Sequence, residues 1–281
     1  MAFTKKTLND TIQALAKQNK IYSNESQFQF DLAWELRGKG FQVELEALSV
    51  SQAAAKQLSK EERKKAYTDI IVKDGDGYIA IELKYKTPET KDIMCYDING
   101  VKTYLFSQGA ENLGSYLYWK DIERLEMLVN GMIPLNFDAD KKVIKGYAVL
   151  LTNDKKYWDN KKHRNLPSSL AREFYLIDGR AVNGRLCYYV GVNSNGARVK
   201  GGWGATRQDK IDTEEKAHKY YPKDKEAKEH YPIEIKDNYT CDWKTYLNKL
   251  TCKLLNGKLE PKGDEFRYLI LEINKLQGQT P

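Results

Sequence analysis

Three residues in the stretch YTDIIVKDGDGYIAIELKYKT (67–87) are of types that do chemistry: Asp69, Glu82 and Lys84. The stretch reads as two apolar strands around a glycine-rich turn, where a core hairpin would carry Val and Ile instead. If Asp74 pairs with Gly77 across a two-residue Gly75–Asp76 loop, the register sets Asp69 directly opposite Glu82. Side chains alternate along a strand, so Glu82 and Lys84 share a face while Ile81, Leu83 and Tyr85 take the other. Two carboxylates facing each other across a sheet destabilise the pair by roughly a few tenths of a kcal/mol, and burying them costs more. A hard divalent cation such as Mg²⁺, with Mn²⁺ as its substitute, offsets that cost, because it takes carboxylate and carbonyl oxygens. Lys84 offsets it in part. The competing reading is a surface hairpin whose charged face is simply solvated. The turn itself resembles a fragment of a calcium loop, but the closing Glu of such a loop would fall on Tyr85, which excludes it.

The surrounding elements must position this patch. Leu8, Ile12, Leu15 and Ala16 recur at helical spacing over 4–19. A second helix begins near SNESQFQFDLAWELRGKG, with Ser23 or Asn24 to cap it and Gly38 or Gly40 to end it. FQVELEAL (41–48) alternates as a strand, and residues 51–67 return to helix-forming types with the basic cluster Arg63-Lys64-Lys65. After the hairpin, 110–130 reads as a long amphipathic helix and 142–153 as a strongly apolar strand. Residues 186–192 and 266–273 are further strands. The segment 205–262 is rich in Lys, Glu and Asp of nearly balanced sign, which reads as a solvated elaboration. Helices alternating with apolar strands predict an α/β protein, a sheet flanked by helices. Without an evident linker, residues 1–281 are expected to form one domain, with a core over about 20–153 and a long C-terminal elaboration over about 154–281.

A third carboxylate comes from the second helix. Glu25, Phe28, Gln29, Leu32 and Leu36 fall within one narrow stripe, the face that packs on a sheet. Glu25 lies in the first turn, where the helix dipole and capping favour an acidic residue whatever its function. Its place on the core-facing stripe upstream of Asp69 makes it a candidate partner of Asp69 and Glu82.

This combination resembles the PD-(D/E)xK nuclease superfamily, the fold of many restriction enzymes and repair nucleases. Asp69 matches the strand-initial Asp, Glu82-Leu83-Lys84 the tripeptide and Glu25 the helical Glu. Thr68 stands where the family name has Pro, a frequent departure. The order of elements over 24–152 resembles the family's core, helix, three strands, helix, strand, and leaves 155–265 unassigned. The resemblance implies a restriction-endonuclease-like core, a mixed β-sheet flanked by helices. It also implies a Mg²⁺-dependent hydrolysis of phosphodiester bonds, with Asp69, Glu82, Glu25 and the main-chain carbonyl of Leu83 as metal ligands. A metal so held lowers the pKa of bound water and stabilises charge on the phosphate. Lys84 would orient or polarise the attacking water, and its charge would hold the carboxylates ionised.

Further residues are candidates for contact with nucleic acid. Lys86 continues the alternation of Glu82 and Lys84. Gln108 and Tyr116 flank the start of the next helix, where some members of the superfamily place a Gln and a Tyr near substrate, at a shorter spacing than here. NDKKYWDNKKHRN (153–165) interleaves Lys155, Lys156, Lys161, Lys162 and Arg164 with Tyr157 and Trp158, a mixture suited to phosphate contact and base stacking or to a solvated loop.

Composition sets outer bounds. The chain carries a net charge of +7, which suits an anionic partner without specifying one. No segment is apolar for long enough to cross a membrane, and the N-terminus lacks the apolar core of a secretory signal. The four cysteines are scattered without a CxxC pair, which predicts reduced thiols in a cytoplasmic protein. The three histidines are equally scattered, against a zinc site. No P-loop, dinucleotide fingerprint or nucleophile elbow is present. The expectation is a DNA endonuclease, by analogy one of bacterial defence or restriction, acting as a homodimer or with a partner subunit. RNA cleavage by the same site, a catalytically silent nucleic-acid-binding subunit, and a structural α/β protein with a chance motif are the alternatives.

Overall fold

The hairpin forms as its turn dictates. Strands β2 (Tyr67–Asp74) and β3 (Gly77–Lys86) pair antiparallel, from Asp74 opposite Gly77 to Ile70 opposite Ile81. Gly75 takes the positive φ, +58°, that a two-residue hairpin loop demands. The computed structural model describes residues 2–49, 67–88, 93–96, 100, 102–106, 108, 111–135, 140–163, 171–189, 191–192, 198–199, 210–211, 233–248, 250–254 and 265–276. The expected helix over 51–67 lies outside them except at Tyr67, which opens β2.

Three helices are relevant to the site: α1 (Lys5–Lys17), α2 (Glu25–Gly38) and α3 (Glu111–Val129). Thr4 caps α1 in a capping box with Thr7, and the Asn24 side chain caps α2 by accepting from the Gln27 N–H. Gly40, at φ +90°, follows the end of α2, where a left-handed residue closes a helix at no steric cost. Among the described residues the remaining strands of four residues or more are β1 (Gln42–Leu48), β4 (Ile93–Tyr96), β5 (Lys102–Leu105), β6 (Val143–Thr152), β7 (Ala181–Leu186), β8 (Ile233–Thr240), β9 (Trp243–Leu247), β10 (Thr251–Leu254) and β11 (Phe266–Ile273).

The chain divides into two compact units, residues 1–109, 124–155 and 242–281, and residues 110–123 and 156–241. The first contains a mixed six-stranded sheet in the order β1-β2-β3-β6-β11-β9, with β3 and β6 parallel and every other neighbouring pair antiparallel. It is an α/β sheet flanked by helices, as the pattern of elements predicts. The sheet does not stop at residue 153, however. Its last two strands, β11 and β9, come from the segment read as a C-terminal elaboration. Strand β11 is expected from the sequence and β9 is not, and β8 of the second unit shows why strands of 205–262 are hard to read: buried Ile233, Ile235 and Tyr239 are separated by charged and polar residues on the other face. The many charges of 205–262 mask that alternation when only composition is weighed.

The core of this unit lies between one face of the sheet and α1 and α2. Leu8, Ile12 and Leu15 of α1 and Phe28, Leu32 and Leu36 of α2 close on Ile70, Val72, Ile79, Ile81, Leu83, Tyr85, Val149 and Leu151. Glu82 and Lys84 therefore project from the opposite face. There Gly146 and Ala148 of β6 leave room for α3: a Cβ on Gly146 would stand 3.3 Å from the Leu125 Cβ. That close approach delivers the next residue back along the helix, Arg124, to the sheet.

In the second unit β7 pairs with β8, and the Arg180 guanidinium gathers the carbonyls of Arg172, Glu173 and Tyr175. A smaller sheet in the first unit joins β10, β4 and β5, with Cys95 opposite Cys252 in register. Cys95 is disulfide-bonded, which corrects the expectation of four reduced thiols. Cys187 and Cys241 are buried and outside any disulfide, and burial pushes the Cys241 thiol up to about 12. No helix among the described residues is long and apolar enough to cross a membrane.

Candidate active site

The ladder between β2 and β3 ends one pair short of Asp69 and Glu82. Beyond it, the edge of β3 that faces β2 presents the backbone N–H groups of Leu83 and Tyr85, two residues apart, to side chains. The Asp69 carboxylate accepts from Leu83 N at 2.6 Å, and the Glu25 carboxylate accepts from Tyr85 N at 2.7 Å. Two carboxylates thus stand in for the missing neighbour strand. Because Leu83 is fully buried, its N–H would lose free energy without an acceptor. Bonds to ionised oxygen are the stronger kind.

The main chain of Leu83 is also where Lys84 returns. Its Nζ lies 3.2 Å from the Leu83 carbonyl oxygen. In a strand, the N–H and C=O of one residue point to the same edge, so the Leu83 carbonyl opens on the side that Asp69 occupies. Asp69, Leu83, Lys84 and Glu25 are therefore collected along one short stretch of β3.

Glu82 behaves differently. It is 2% exposed, and its Oε1 lies 2.7 Å from Nη2 of Arg124 on α3. The contact is an ion pair rather than an aligned hydrogen bond. A buried carboxylate without a cation would be costly, and Arg124 supplies one. The expectation that three carboxylates gather around one ion is not met by the side-chain positions: no three His, Cys, Asp or Glu among the described residues come together as a metal-holding group. Glu25 is drawn to the Tyr85 N–H, one two-residue step along the strand from Asp69, about 6–7 Å at the usual rise.

Sequence reasoning missed three participants. Arg124 sits mid-helix in a run of ordinary charged residues, with no local signal that it meets Glu82. Gln29 was visible only as part of a buried stripe. In the fold its Nε2 donates at 2.8 Å both to the Asp69 carbonyl and to Glu46 Oε1. Glu46 lies across from Asp69 on β1, in the left-handed region at φ 57°, an uncommon conformation for a residue other than glycine. The β1–β2 pairing resumes on either side of it, at Leu45–Ile70 and Ala47–Thr68. The distortion is confined to the place where Asp69 leaves both ladders.

The outlying candidates fare unequally. Lys86 ends β3 opposite Thr152 of β6, half-buried. Gln108 is half-buried and its N–H donates to the Pro88 carbonyl. Lys155 is half-buried at the start of a short 3-10 turn, Lys155–Tyr157. Lys156 is exposed and pairs with Glu111 at 3.0 Å. Tyr116, Tyr157 and Trp158 are corrected: all three are buried, Tyr116 in edge contact with Phe174, so none offers a ring to a base. Aromatic residues bury large apolar areas, and packing won over exposure here.

No protein-family model matches this chain, and neither a curated protein nor a solved structure matches it. The class established by the fold is an α/β protein with a mixed six-stranded sheet flanked by helices.

Proposed function

We propose that this chain is a metal-dependent nuclease of restriction-endonuclease-like fold that hydrolyses phosphodiester bonds. The carrying observation is the split hairpin: β2 leaves β3 at the Asp69–Glu82 pair, and Asp69, the Leu83 main chain and Lys84 close on the gap. The donor chemistry fits a hard divalent cation. Asp69, Glu82 and the Leu83 carbonyl offer oxygen only, and Mg²⁺ asks for one or two carboxylates while keeping several waters. The fit is for a single ion on those three groups, with Glu25 assigned to the Tyr85 N–H instead. When bound, Mg²⁺ or Mn²⁺ supplies Lewis-acid stabilisation of phosphate charge and a more acidic water.

The chain's own groups divide the remaining work. Asp69 and Glu25 hold the edge of β3 that β2 leaves, while β6 pairs with the other edge. Lys84, tethered beside the Leu83 carbonyl, places an ammonium at the same spot, able to hold a water or to balance an anionic oxygen. The substrate is DNA in the first reading and RNA in the second, and a role in bacterial defence rests on fold-level analogy.

The test is cleavage of supercoiled plasmid and of single-stranded RNA by purified protein, with Mg²⁺ or with chelator, beside Glu82→Ala and Lys84→Ala. Mg²⁺-dependent cleavage lost in both variants supports the site. Cleavage that survives in both variants removes it. Binding of nucleic acid with no cleavage by wild type moves the chain to the silent binding subunit.

A further inference from the structure

Glu82 is a proposed metal ligand whose carboxylate already has a guanidinium beside it. Its carboxylate is 2% exposed, and Arg124, itself 18% exposed, reaches it at 2.7 Å. The arrangement is built into the fold rather than left to a flexible surface side chain: Gly146 and Ala148 admit α3 to the sheet, and Leu125 packs against Gly146 next to Arg124. A guanidinium and a divalent ion on one buried carboxylate repel each other, and the low local dielectric strengthens that repulsion.

We propose that Arg124 is the internal counter-ion of Glu82 and an antagonist of the metal. In the metal-free protein it neutralises the buried carboxylate, so the chain folds without a divalent ion. Metal binding at Glu82 then has to weaken or turn aside the Arg124 contact, which lowers metal affinity. The two cations are linked through one carboxylate, and linkage is reciprocal. This inference rests on the metal-dependent reading of the site.

The experiment is calorimetric titration of MgCl₂ into the full-length wild type, Arg124→Gln and Glu82→Gln, with thermal unfolding of each with and without Mg²⁺. Arg124→Gln is expected to bind Mg²⁺ at least about 5-fold more tightly than wild type, the lower end of typical couplings between sites. It is also expected to unfold at a lower temperature without Mg²⁺, and to gain more than wild type when Mg²⁺ is added. Glu82→Gln is expected to lose binding. A folded Arg124→Gln whose Mg²⁺ affinity equals or falls below that of wild type overturns the inference while leaving the metal site standing. If Arg124→Gln is unfolded alone, Mg²⁺ must restore its folded circular dichroism, and failure to do so also overturns it. A wild type that takes up no Mg²⁺ overturns the metal-dependent reading, and the inference with it.

Discussion

Asp69 does two jobs that one pair of substitutions can separate. Its carboxylate accepts from the buried Leu83 N–H at 2.6 Å, and in the proposed mechanism it also contributes charge to a divalent ion. Asp69→Ala removes both. Leaving a buried N–H without its acceptor costs about 1–3 kcal/mol, so urea unfolding should show a loss of that size. Asp69→Asn keeps an oxygen acceptor of the same reach and removes only the charge. Its stability should stay within about 1 kcal/mol of wild type, close to the net value of one ordinary hydrogen bond. Cleavage should nonetheless fall. Removal of a group that merely supports a metal ligand costs about 10–100-fold, so loss of a direct ligand should cost at least as much. The assay is plasmid cleavage at saturating Mg²⁺ alongside the urea midpoint. If Asp69→Asn cuts as wild type does, Asp69 is only a strand-edge acceptor and the proposed site is wrong. If Asp69→Asn is as unstable as Asp69→Ala, the contact to Leu83 is not what the carboxylate contributes to folding.

Other consequences follow from neighbouring contacts. Glu25→Ala should speed hydrogen exchange at the Tyr85 amide and cost about 1–3 kcal/mol, while Glu25→Gln should preserve protection, because only the first removes the acceptor of that N–H. Burial raises the pKa of Tyr22, Tyr85 and Tyr246 above the ordinary tyrosine value, so each stays protonated in the fold while its unfolded form ionises near pH 10. Stability from these groups is fully present below pH 10 and should fall by about 1.4 kcal/mol per pH unit per tyrosine above it; urea midpoints that do not change between pH 9 and 11 would contradict this. Gly146→Val should cost about 1–3 kcal/mol of unfolding free energy by overpacking against Leu125 and Ile273, read as a lower urea midpoint. A thiol reagent should label Cys95 only after reduction of the unfolded chain, since that residue is disulfide-bonded.

Much of the site's frame is legible in the sequence. The Gly75–Asp76 turn and the alternation of apolar residues set the pairing of β2 and β3, and the observed register from Asp74–Gly77 onward agrees. The buried stripe of α2, Phe28, Gln29, Leu32 and Leu36, follows from spacing alone. Strand β11 spans 266–273 as expected. The partners of the charges were a different matter. Nothing local to IELKY says that Glu82 is met by a guanidinium 42 positions later in the chain. Nothing in DKKYWD says that Lys156 pairs with Glu111 while Tyr157 and Trp158 turn inward.

Sequence alone determined the elements and faces of this protein: which residues share a side of β3, where the hairpin turns, which stripe of α2 is buried. Those properties repeat every 2 or 3.6 residues and depend on near neighbours, so a short window contains them. Tertiary structure decided what the polar residues do. It ended the β2–β3 ladder at Asp69 and put Glu46 of β1 into a left-handed conformation beside it. It assigned Glu25 to the Tyr85 N–H and brought Arg124 onto Glu82. Those outcomes depend on which helix a glycine in β6 allows to approach and on which buried donor lacks an acceptor. They are properties of distant segments meeting, and no local pattern carries them.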